Sequence, residues 1–252
     1  MIEWLVCVMI VLCIFVWYYS QSNSEYSLNQ IKEIQIPVQL QSLWEERKPV
    51  VVSDVRPQEI WLANSLKQTR FWGAQSVWGE YEDATAAGAS GSAGAILNIP
   101  RSQMVAWADI LGVGQLQKDT LLRWFDLSPW LFSVKTEAHI GPEGLRPTFG
   151  WATAYTCTQG TARCILLHSA QKGRLPQGWL GLPWNQATVA HHPLWTQVQF
   201  IEIVMRPGTA ILIPPHWIVA IEPSNPKESI WWTRSDVHHP ISAIAQRLNE
   251  RT

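Results

Sequence analysis

The pattern of hydrophobic and polar positions divides the chain into a wholly apolar start, a short polar stretch and a long segment of alternating character. Trp4 to Tyr19 is an unbroken uncharged run rich in Val, Ile, Leu and Phe. As a helix it spans roughly 24 Å at about 1.5 Å per residue, slightly short of a hydrocarbon core of about 30 Å. Ile2 and Ser20 extend it, and Trp4, Trp17, Tyr18 and Tyr19 put aromatic rings at its ends. The expectation is a transmembrane helix over residues 1–20, making the protein a single-pass membrane protein with its membrane contact at residues 2–20. The rival is a cleaved signal peptide, for which Ser20-Gln-Ser22 is a weak site. Against it, the one early charged side chain is Glu3, and bulky Trp17 to Tyr19 stand where cleavage favours small residues. Lys32, Arg47 and Lys48 are too few and too distant to orient the helix, so the compartment stays open.

Residues 21–33 are polar and read as a linker. One domain is expected over residues 34–252. Its first part reads as a short extended segment at Ile34–Val38, a strand ending at Val52, and a helix at Pro57–Gln68. A strand pair at Phe71–Tyr81 and a low-complexity loop at Asp83–Gly94 follow. Helices are then predicted at Ser102–Leu111, capped by Ser102, and at Asp119–Trp124. After Pro129 the chain turns β-rich. Strands are predicted at Leu131–Val134, Thr148–Tyr155, Arg163–His168, Val198–Met205, Ala210–Ile213, Ile218–Ile221 and Ser229–Trp232, with a closing helix at Ile241–Leu248. Short strands punctuated by Gly and Pro argue for a barrel or sandwich. The fold class is therefore mainly β with flanking helices.

Composition narrows the function. A net charge of -1 offers no basic field, so no nucleic-acid partner is expected. With 47% apolar residues and sixteen Trp the chain can fill a complete core. Cys7 and Cys13 lie in the apolar start. Cys157 and Cys164 flank a turn at Gln159-Gly160 and are read as free buried thiols, although cross-strand pairing stays open. There is no C-x-x-C and no phosphate-binding G-x-x-x-x-G-K-[ST] loop.

The stretch from Arg206 to Ile221, R-P-G-T-A-I-L-I-P-P-H-W-I-V-A-I, reads as strand, turn, strand. It resembles the closing hairpin of the JmjC-like cupins, members of the Fe(II)/2-oxoglutarate dioxygenase superfamily, through Pro207, Gly208, Ile213, Pro214, Pro215 and Trp217. Leu43–Val52 resembles their opening F-x-x-x-x-K-P-V-V-I segment, and Ile140–Ala152 their I-G-P-x-G-x-x-T-P-L-H-x-D. Gln159–Leu167 resembles their K-G-x-K-R-x-x-L-F hairpin. The resemblance implies a double-stranded β-helix (a cupin or jelly-roll barrel) and an iron held by two histidines and a carboxylate, with three positions open for 2-oxoglutarate and dioxygen.

The matched ligand positions here are Gly150, Ala152 and Val219, and the lysine that pairs with 2-oxoglutarate is matched by Ala162. No histidine in the chain has an acid two residues on. The leading expectation is thus a membrane-anchored, cupin-like, non-catalytic binding or scaffolding module, a pseudoenzyme without cofactor. A protein or small-molecule ligand would sit at the barrel mouth, lined by Arg146, Trp151, Arg163 and Trp217. One alternative is an Fe(II)/2-oxoglutarate hydroxylase or demethylase with displaced ligands His139, His168 and His216. Another is a structural membrane protein of a virus.

Overall fold

A computed structural model describes residues 2–20, 25–55, 101–110, 112–186, 193–225 and 230–242. The expected helix at Pro57–Gln68, the segment Phe71–Tyr81, the loop Asp83–Gly94, the pair His191-His192 and most of the helix Ile241–Leu248 lie outside the described residues.

The apolar start forms helix α1, Ile2–Ser20. Among the described residues no helix is long and apolar enough to cross a membrane. This overturns the expected transmembrane anchor and, with it, the single-pass membrane localisation. The physical reason is length. Glu3 and Trp4 bound the aliphatic stretch on one side and Trp17 on the other, and the intervening Leu5 to Val16 rises only about 18 Å at about 1.5 Å per residue, against a core of about 30 Å.

Strand β1 (Asn29–Lys32) runs parallel to β2 (Val50–Ser53). Between them a 3-10 turn at Glu33–Gln35 leads into helix α2, Ile36–Glu45. An extended segment was expected at Ile34–Val38. The helix wins because Pro37 sits in its first turn, where no amide is needed, and Ile36 and Leu40, one turn apart, are buried together. Helices α3 (Arg101–Ile110) and α4 (Val113–Trp124) follow, the second starting six residues earlier than the sequence pattern indicated.

Eight strands then wind between two sheets: β3 (Ser133–Ile140), β4 (Glu143–Pro147), β5 (Ala152–Gln159), β6 (Ala162–His168), β7 (Ile201–Met205), β8 (Ala210–Ile213), β9 (Trp217–Pro223) and β10 (Trp231–His238). One sheet has the order β1-β2-β8-β5-β10-β3 and the other β4-β9-β6-β7. From β3 on, successive strands alternate between the sheets in the way a jelly roll does, except that β6 and β7 pair within the smaller one. The expected class, mainly β with flanking helices, is what forms. The Pro207-Gly208 turn between β7 and β8 is closed by Thr209 N–H donating to the Arg206 carbonyl at 2.9 Å, with Gly208 at φ 87°, where a side chain would be strained.

Period-two alternation produces three cores. Tyr155, Leu166, Ile211, Trp217, Val219 and Trp232 fill the space between the sheets. Leu40, Leu121, Ala152, Ala154 and Leu212 join the outer face of the larger sheet to α2 and α4. Leu145, Ile165, Leu167 and Ile218 pack the outer face of the smaller sheet beneath the loop bearing Trp179, Trp184 and Trp195.

Candidate functional site

Polar and charged side chains enter the barrel from β3, β4, β5 and β10. Trp232 faces the interior, so alternation along β10 turns Arg234 and Asp236 inward. Their register partners on β3 include Glu137 opposite Arg234 and His139 opposite Trp232. Arg146 on β4 is the register partner of Val219 on β9.

These groups form two linked ion pairs. Arg146 Nη1 donates to Glu143 Oε1 at 2.7 Å and stands 3.6 Å from Glu137 Oε2. Glu137 is fully buried, and its Oε2 is 3.5 Å from His139 Nε2. Arg234 Nε donates to both oxygens of Asp236, at 3.2 and 3.1 Å, and its Nη2 donates to the Pro147 carbonyl at 3.4 Å. The Thr153 hydroxyl donates to Asp236 Oδ1 at 2.8 Å. Aromatic faces line the rest. His139 stacks on Trp232 with centroids 4.0 Å apart, and the Arg234 guanidinium lies 5.9 Å from the Tyr155 centroid. Burial works against the charge on Arg234, but Tyr155, Asp236 and Glu143 outweigh it and raise its pKa further. Burial also pushes the Tyr155 phenol and the Cys164 thiol well up, so both stay protonated. Cys157 and Cys164 are both buried and not joined in a disulfide, and the Cys164 thiol, held protonated in this way, is inert.

The residues singled out from the sequence are dispersed. Val219 and Ala162 lie in the interior core and Arg146 faces that interior. Gly150 lies two residues before β5 begins, in a space too tight for any side chain: a Cβ would meet the Val237 carbonyl oxygen at 2.8 Å and that of Ala152 at 2.9 Å. Ala152 faces the helical layer, not the barrel interior. Trp151 joins Trp44, Phe125 and Phe132 in an aromatic cluster with centroids 5.0–5.6 Å from its own ring. Arg163 neighbours inward-facing Cys164 and so points outward, where it bonds Glu222 at 2.9 Å and lies 3.6 Å from Glu202. Trp217 is buried inside the barrel.

His139 and His168 are buried, in different sheets. His216 occupies the turn before β9 with φ 69°. Among the described residues no three His, Cys, Asp or Glu side chains are grouped so as to hold a metal ion.

Sequence reasoning missed Glu137, Glu143, Arg234 and Asp236. The signal was present as charge at alternate positions, Glu137 with His139 and Arg234 with Asp236, inside strands bounded by large apolar residues. A cleft of 730 Å³ opens where α2 and α4 meet the rim of the barrel, lined by Trp44, Phe125, Trp151 and Pro214 and edged by Arg47 and Arg123. Its size and aromatic lining suit a small ligand.

No protein-family model matches this sequence, and no curated protein matches it. Among solved structures one match is hydroquinone 1,2-dioxygenase from Sphingomonas sp. TTNP3, crystallised with 4-hydroxybenzoate bound. That match has a TM-score of 0.30 and 10% identity, and covers 45% of this chain and 64% of that enzyme.

Proposed function

We propose that this chain is a cupin-like binding module of the JmjC-like type, in which an internal ion-pair network stands where a metal centre would. A facial set of three ligands needs side chains from neighbouring strands that share one interior face. Val219 matches the family's last iron histidine, and its partner on the adjacent strand is Arg146. That pairing carries the reading. A guanidinium stays protonated and has donors only, so it cannot ligate a cation. Its charge instead meets Glu143 and Glu137 directly. The residues present therefore do not fit an iron site, and no reaction step is derived through one. The cleft beside Trp44 and Trp151 supports a binding role at the barrel rim.

The test is anaerobic loading of the full chain with Fe(II), followed by metal analysis and an assay of succinate release from 2-oxoglutarate. The expected result is iron far below one per chain and no succinate. Stoichiometric iron with succinate release would overturn the proposal.

A further inference from the structure

The end of the barrel built by β6 and β9 carries polar groups that the ion-pair network does not engage. His168 closes β6 directly opposite Trp217, the first residue of β9. Both residues are buried, 3% and 1% exposed, and their rings meet edge to face at 5.5 Å. His168 Nδ1 accepts the Ala170 N–H at 3.2 Å. The neutral ring therefore carries its proton on Nε2, which makes that atom a donor. Burial, with His216 nearby, lowers the His168 pKa and so favours the neutral form. His168 Nε2 and Trp217 Nε1 are thus two buried donors, and neither has a hydrogen-bond partner among the described residues. Buried donors in folded proteins are almost always paired, so two orphans on adjacent rings point to an occupant.

The surroundings define its chemistry. Tyr26 packs edge-on against Trp217 at 6.2 Å. Its phenol pKa is raised by burial, against the pull of Gln171, the His168 backbone and Arg174. Arg174 is held in place by donating to Gln171 Oε1 and to the Gln197 carbonyl, both at 3.0 Å. Gln171, the His168 backbone and the Arg174 cation all act on Tyr26 so as to favour negative charge there.

We propose that the β6–β9 end of the barrel binds a small carboxylate, whose oxygens accept from His168 Nε2 and Trp217 Nε1. A carboxylate has the acceptor oxygens to serve both donors, and the Arg174 cation that acts on neighbouring Tyr26 favours a negative charge. The segment before β1 covers this end: Tyr26 lies on Trp217, Leu28 packs against the interior core, and Glu25 is tied to Lys48 at 2.9 Å. Exchange of the carboxylate thus requires Tyr26 to swing aside.

The test is a titration of the ¹⁵N-labelled full chain with sodium acetate, with sodium chloride at equal ionic strength as control. The readout is the Trp217 indole N–H resonance, assigned by its loss in Trp217→Phe or, if that variant does not fold, by ring contacts to His168 and Tyr26. The expected result is a saturating downfield shift with acetate that chloride does not produce and that His168→Phe abolishes. A shift that fails to saturate, that chloride reproduces, or that persists unchanged in His168→Phe would overturn the proposal. No metal is present in this titration, so its failure leaves the reading of the ion-pair network standing.

Discussion

The two polar regions inside the barrel meet the cost of burial in opposite ways. Between β3, β4 and β10 the charges are dense and paired, with Arg146 on Glu143 and Arg234 on Asp236, although Glu143 Oε2 and Arg234 Nη1 make no hydrogen bond among the described residues. At the β6–β9 end, beside Tyr26 and Arg174, two neutral rings carry N–H donors that lack partners among the described residues. A buried charge without a counter-charge costs far more than a buried neutral donor without an acceptor. Groups that must always be satisfied are therefore tied to one another. Leaving a neutral donor open for a partner that comes and goes costs less than leaving a charge open, and this difference is why the β6–β9 end is proposed as the ligand site.

The largest expected effect breaks the matched side. Arg234→Met leaves Asp236 buried without its guanidinium, and should cost about 3–5 kcal/mol, read as a lower urea midpoint at unchanged slope. A loss below about 1 kcal/mol, the scale of an exposed pair, would mean that the pair is solvated and the contrast false. Gly150→Ala forces a methyl against two backbone carbonyls and should cost about 1–3 kcal/mol. A neutral outcome would show that the start of β5 has room for a side chain.

The third expectation tests the neutral end by pH. His168 in the folded protein has a pKa below its ordinary value of about 6.5. The unfolded chain then binds more protons as pH falls, so the contribution of His168 to stability is present above about pH 6.5 and is lost below it. His168→Phe should flatten the drop in stability between about pH 7 and 5 without abolishing it, because burial lowers His239 in the same direction. An unchanged profile would mean that His168 is charged in the fold. The smallest effect belongs to the outer face. Arg163→Ala removes an ion pair on a side chain 38% exposed, while Glu222 still accepts the Asn185 N–H at 2.7 Å, so chemical denaturation should register about 1 kcal/mol or less.

The sequence revealed the fold where its strands obey the rule of apolar inside and polar outside. Strands β6, β8 and β9 stand close to their expected positions because Ile, Leu and Val mark them. Strand β10 runs six residues beyond the expected end at Trp232, because Arg234 and Asp236 read as solvent-facing when they in fact point inward. Much of β3 was hidden for the same reason by Glu137 and His139. The candidate site was legible in Val219 and Arg146, but their pairing was not, since adjacency between β4 and β9 is a property of the sheet. For Arg163 and Ala152 strand parity decided: one residue's shift turns a side chain from the interior to the outer face.

In the function proposed here, Arg146 and its carboxylates stand opposite Val219 where a metal centre would be. A thermal melt of the full chain with and without Mn(II) and 2-oxoglutarate tests it most directly. A ligand at about a hundred times its dissociation constant adds roughly 2.7 kcal/mol, which for a domain of this size is a rise of roughly 5–10 °C. The account expects no rise. A rise of that size would contradict it and place a working metal site inside the barrel.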